Sequence, residues 1–86
     1  MMSAIDAAVA AWDLAKPDCV VTQLSVGGNV KVVELAKTYP DRVEPRRMII
    51  KFLVDDYRND ANPGASVRAE LDRHERLLDE LPQQQA

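Results

Sequence analysis

The reading of this chain turns on four residues, Val26-Gly27-Gly28-Asn29. Ahead of them runs a short segment from Asp18 to Ser25, and behind them a strongly patterned one from Val30 to Tyr39. Helical flanks make a tight corner between two helices; extended flanks make a β-hairpin. As helices, Asp18 caps a short element with Val20, Val21 and Leu24 inside, and Asn29 caps a longer one in which Val32, Val33, Ala36 and Tyr39 share a side. As a hairpin, a Gly-Gly-Asn loop pairs Val26 with Val30 and Leu24 with Val32, putting Val20, Leu24, Val26, Val30 and Val32 on one face. The β-branched residues favour strands. Against them, Val33-Glu34-Leu35-Ala36-Lys37 continues without a breaker into good helix formers, and an isolated two-stranded hairpin needs a surface to lie on. The helical corner is therefore preferred, with the hairpin as the alternative.

The other elements read as helices. Ser3 caps the first, with Asp6 three residues on, and Ile5, Ala8, Val9 and Trp12 form its buried stripe. Lys16-Pro17 ends it, because the residue before proline is steered away from helical angles. Pro40 and Asp41 stop the patterned segment, and Glu44-Pro45 restarts the chain with proline at a first helical position. From Arg46 to Tyr57, residues Met48, Ile49, Ile50, Phe52, Leu53, Val54 and Tyr57 cover more than one stripe, which implies a central helix over 46–58 packed on several sides. Asn59 to Gly64 is a turn by composition. A last helix runs to Leu81, with Val67, Leu71, His74, Leu78 and Leu81 on a heptad seam that either closes the domain or forms a self-association interface. The expectation is a mainly α, four-helix domain over residues 1–82 with a helix-turn-helix-like corner and a disordered tail at 83–86. The alternative is an α+β domain with a hairpin at 19–35.

Eighty-six residues suit one domain with a modest core, so assembly with further copies would help it. Apolar residues make up 47% and aromatics only 5%, so that core is aliphatic. No apolar run approaches the ~20 residues of a membrane helix. Met1 to Ala15 carries Asp6 and Asp13 and no basic stretch, unlike a secretory signal. Cys19 is the sole cysteine and reads as a small buried hydrophobe. With one Cys and one His the chain lacks the ligands of a structural zinc site, so no metal is expected. A cytoplasmic protein of bacterial or phage origin fits these features.

Catalytic constellations are absent, and a non-enzymatic protein without cofactors is expected. The single histidine lies on the seam, where a pH-dependent interface is the more interesting role. Asp55 and Asp56 are consecutive and diverge by about 100° on a helix, so they form no paired-carboxylate site. Gly27-Gly28 lacks the lysine and hydroxyl pattern of a phosphate loop.

Charge is unevenly spread. Residues 19–51 carry +3 (six bases, three acids), against −2 for 1–18 and −4 for 52–86. Leu24-Ser25-Val26-Gly27-Gly28-Asn29-Val30 resembles the turn of helix-turn-helix DNA-binding proteins, although its paired glycines and its short, valine-rich first element depart from that pattern. The resemblance implies a recognition helix over Asn29 to Tyr39, with Asn29 and Lys31 toward bases and Arg42, Arg46 and Arg47 on phosphates. A helix-turn-helix followed by oligomerising helices is also similar in plan to phage small terminase subunits. The competing expectation is a protein–protein module, an inhibitor or accessory subunit, that touches no nucleic acid. Self-association is expected on either reading.

Overall fold

The computed structural model describes residues 3–24 and 28–81. Its elements are α1 (Ala4–Ala15), β1 (Cys19–Gln23), β2 (Val30–Lys37), β3 (Arg46–Leu53), a 3-10 turn (Val54–Tyr57) and α2 (Pro63–Glu80). The strands form an antiparallel meander in the order β1-β2-β3. Cys19 stands opposite Lys37 and Gln23 opposite Val33; Val30 stands opposite Leu53 and Lys37 opposite Arg46. Both helices lie on one face of this sheet, making a two-layer α+β domain.

Strand periodicity builds the core. Successive side chains point to opposite faces, so Cys19, Val33, Leu35, Ile50 and Phe52 all turn toward the helices and are at most 2% exposed. Ile5, Ala8, Val9 and Trp12 of α1 and Val67, Leu71 and Leu78 of α2 close over them. Each helix has the termini its sequence encodes. Ser3 Oγ accepts the Asp6 N–H at 3.1 Å, and the Asn62 side chain accepts the Ala65 N–H at 3.1 Å ahead of Pro63. Asp60 braces that second cap by accepting from the Asn62 N–H and the Ser66 hydroxyl. Trp12 Nε1 donates to Asp72 Oδ1 at 2.9 Å and ties the helices to each other.

Three expectations are corrected. The four-helix, mainly α arrangement is replaced by two helices and a three-stranded sheet. The helix-turn-helix corner does not form, because its flanks are β1 and β2, and Leu24 N–H donates to the Val32 carbonyl at 2.8 Å as in the extended alternative. The central helix over 46–58 is instead β3 and the 3-10 turn. Physical reasons account for each. Glu34, Leu35, Ala36 and Lys37 have good helix propensity, but that preference amounts to tenths of a kcal/mol per residue. It loses to a strand held on both sides, with Leu35 fully buried. The surface a lone hairpin lacks is supplied by β3 and by the two helices. Arg46 to Leu53 carries large apolar residues on both faces, and such a run resembles a buried helix in composition. Ser25, Val26 and Gly27, which carry the centre of the corner, lie outside the described residues, as does the 83–86 tail.

Among the described residues no helix is long and apolar enough to cross a membrane.

Candidate functional site

The sheet face turned away from the helices is covered by none of the described residues. It carries Val20, Thr22 and Leu24 from β1 and its end, Val30, Val32, Glu34 and Ala36 from β2, and Arg47, Ile49, Lys51 and Leu53 from β3. Antiparallel sheets with one solvated face ordinarily alternate apolar-in and polar-out. Here the outer face is itself largely aliphatic: Val20 is 58% exposed, Leu24 51%, Ile49 49% and Leu53 47%. Half-buried Val30, Val32 and Ala36 lie between them on β2. The other exposed large apolar residues, Leu14, Val43, Leu77 and Leu81, lie on α1, on the β2–β3 loop and near the end of α2. Glu34 sits mid-face and accepts from Arg47 at 3.2 Å, while Lys51 makes no ion pair with any described residue. An exposed face that mixes aliphatic side chains with a few charges is what a protein docking site requires.

The basic residues assigned to DNA are not on one surface. Arg46 and Arg47 are consecutive on a strand and so face opposite ways. Arg46 reaches into the helix layer, where its Nη1 donates to the Leu78 carbonyl at 2.7 Å and the Leu81 carbonyl at 3.0 Å, capping the C-terminus of α2. Lys31 also faces the helices and pairs with Asp6 at 3.3 Å. Arg42 lies in the β2–β3 loop and donates from Nε to the Glu44 carbonyl. Asn29 is in the β1–β2 turn, its carbonyl accepting the Val54 N–H at 2.8 Å. With no recognition helix to present them, the DNA-reading and phage-packaging expectations lose their structural basis.

The heptad seam of α2 faces the sheet. Val67, Leu71 and Leu78 are fully buried inside the protomer, and Leu81 beyond the helix is 41% exposed. His74 is half-buried on the same helix, its Nδ1 at 2.7 Å from the Glu70 carbonyl. A carbonyl only accepts, so Nδ1 carries a proton.

An ionic cluster clasps the layers together at the C-terminal end of α2. Lys37 is the one buried charged residue among those described, and its Nζ donates to Glu75 Oε2 at 2.7 Å and Asp79 Oδ1 at 2.8 Å. Lys16 donates to Glu75 Oε1 at 3.0 Å, and the Tyr39 hydroxyl donates to Asp79 Oδ1 at 2.7 Å. Burial works against the charge on Lys37, yet its hydrogen bonds to Asp79 and Glu75 outweigh it and raise the ammonium pKa. Burial likewise opposes ionisation of Glu75 and Asp79, but their bonds to Lys37, Lys16 and Tyr39 hold both below the usual carboxylate values. Burial first, then the bond to Asp79, pushes Tyr39 up to about 12. Such a cluster is a fastening with no reactive group free in it.

The pH dependence follows in sign. A lowered carboxylate pKa contributes stability above the ordinary values of 4.5 (Glu75) and 3.8 (Asp79), and that stability is lost as pH falls through the folded-state values. The raised pKa of Lys37 contributes below its ordinary 10.5 and is lost only as pH climbs through its folded-state value. Thermal melts followed by circular dichroism should show Tm level between those limits and falling below about pH 4. Glu75→Gln should lower Tm at neutral pH and flatten the acid fall; an unchanged acid limb would detach the cluster from stability.

Cys19 is buried, and burial pushes its thiol up to about 11, so it is a core atom rather than a nucleophile. Among the described residues no group of His, Cys, Asp and Glu is arranged to hold a metal ion. A shallow apolar pocket of about 190 Å³ lies between the starts of α1 and α2, lined by Ile5, Val54, Tyr57 and Pro63 with Arg58 at its wall. The chain matches no protein-family model, and no curated protein or solved structure shows significant similarity to it.

The sequence reasoning missed the outer sheet face. Its signal was present in the hairpin alternative, which grouped Val20, Leu24, Val30 and Val32, and in the alternation of Arg47, Ile49, Lys51 and Leu53. Only the position of the helices shows that this face is the open one.

Proposed function

We propose that this protein is a small, non-enzymatic protein-interaction module that docks a protein partner on the open face of its sheet. One observation carries the reading: four aliphatic side chains, Val20, Leu24, Ile49 and Leu53, are each about half exposed on a single face beside charges of both signs. Keeping that much apolar surface in water serves no purpose within the domain, whose core is complete on the other side. The acidic balance of the chain, −3 overall, accords with a protein rather than a polyanion as partner. A cytosolic setting accords with a buried cysteine that has no disulfide partner.

The test compares two variants. Ile49→Asp with Leu53→Asp alters the open face, and Leu14→Asp alters an equally exposed apolar residue on α1. Both should keep the wild-type melting profile within a few degrees. The partner recovered with wild-type protein from its native cells should be retained by Leu14→Asp. In calorimetry with the purified partner, the face variant should lose at least tenfold in affinity. Equal affinity of wild type and face variant would dismiss the open face as the docking site.

A further inference from the structure

The two edges of the sheet are unequal, and the difference specifies what docks. Antiparallel pairing alternates, so every second residue of an edge strand turns its N–H and C=O away from the sheet. Val54 N–H donates to the Asn29 carbonyl, and the register sets Leu53 opposite Val30. The even-numbered residues of β3 therefore bond to β2, and the backbone groups of Arg47, Ile49, Lys51 and Leu53 point outward. No described residue hydrogen-bonds to them on that side. On β1 the bond from Leu24 N–H to Val32 sets the same alternation, which turns Val21 N–H outward. There Asp13 Oδ1 accepts it at 3.0 Å, so α1 guards that edge. Among the described residues the edge of β3 has no such guard.

The four residues with outward backbone groups are also those whose side chains stand on the open face. In order they are basic, aliphatic, basic, aliphatic. β3 contains no acidic residue, and Glu34, opposite Ile49, is paired with Arg47 at 3.2 Å.

We propose that β3 accepts one extended segment of the protein partner as a fourth, antiparallel strand. Carboxylates on that segment stand opposite Arg47 and Lys51, and aliphatic side chains stand opposite Ile49 and Leu53. This rests on the docking role of the open face and adds the chemistry of the partner: an acidic, alternating strand that binds by main-chain hydrogen bonds and is selected by every second side chain. A second copy of β3 fits less well, because the strand has no carboxylate to set against Arg47 and Lys51 in any register, and pairing centred on Ile49 sets those like charges opposite each other.

The probe is a capped peptide, Val-Thr-Glu-Thr-Val-Thr-Glu, titrated into the ¹⁵N-labelled full chain. Saturable binding is expected, with the largest amide shifts at Arg47, Ile49, Lys51 and Leu53 and none at Val21. N-methylation of the Val and Glu amides, which removes the donors facing β3, should weaken binding at least tenfold. Replacing both Glu by Lys, or testing the Lys51→Glu protein, should do the same, with spectral dispersion reporting that the variant is folded. Absence of saturable binding overturns the proposal. Equal binding of the N-methylated peptide, with shifts centred on Thr22 and Val32, overturns edge pairing while the docking face stands. Indifference of the partner to Ile49→Asp with Leu53→Asp removes the face itself.

Discussion

Phe52→Ala should cost this domain about 4 kcal/mol, whereas Leu53→Ala should stay within about 0.5 kcal/mol. The two residues are neighbours in the same strand, and their difference lies in the face each occupies. Phe52 is 1% exposed, points into the helix layer and lies with its ring centroid 6.1 Å from that of Tyr57. Truncation removes its transfer free energy and leaves a cavity that α1 and α2 cannot fully close. Leu53 is 47% exposed on the outer face and loses only contact it partly makes. For a domain of this size, 4 kcal/mol corresponds to a fall in Tm of about 20 °C, a large part of the stability margin. Urea unfolding of the two variants beside wild type measures both. Equal losses would mean that the outer face is as covered as the inner one and would end the docking reading.

Lys37→Met is the second large effect, a loss of about 3 kcal/mol at neutral pH. Methionine occupies the same channel as the lysine stem, so the cost is electrostatic rather than volumetric. The substitution strands Glu75, whose side chain is 13% exposed, with Lys16 as its remaining cation, and leaves Asp79 with the Tyr39 hydroxyl. Removing one member of a buried pair is expensive because the other charge stays desolvated. The figure is set at the low end of that range because Asp79 is 44% exposed and water screens it. Combining Lys37→Met with Glu75→Gln should recover part of the loss, since the stranded charge is gone. A single variant as stable as wild type would show that the cluster contributes nothing net.

How far the sequence could be read depends on where each signal resides. The two helices were legible because their evidence is local. Ser3 with Asp6 and Pro17 bound α1 within a turn of the residues they affect, whereas the turn composition of 59–64 hides that Asn62 already caps α2 and Pro63 opens it. The apolar positions of both helices recur at helical spacing and are the ones buried. Residues 46–53 were misread because periodicity fails when large apolar residues fall on both faces. Residues 33–37 were misread because a central strand is decided by its neighbours, and those neighbours are distant in sequence. The basic residues were misplaced for the same reason. On a helix Arg46 and Arg47 would sit about 100° apart, but on β3 they face opposite ways, one capping α2 and the other toward solvent.

By itself, then, the sequence determined a small aliphatic domain with capped helices at both ends, because capping, proline and helical stripes act over three or four residues. Tertiary structure alone decided that the middle is a sheet, that both helices cover the same face, and that no described residue pairs with the outer edge of β3. Strand pairing is non-local: whether Val20 and Ile49 are core or surface depends on which side of the sheet the helices pack, and no window of the chain contains that information.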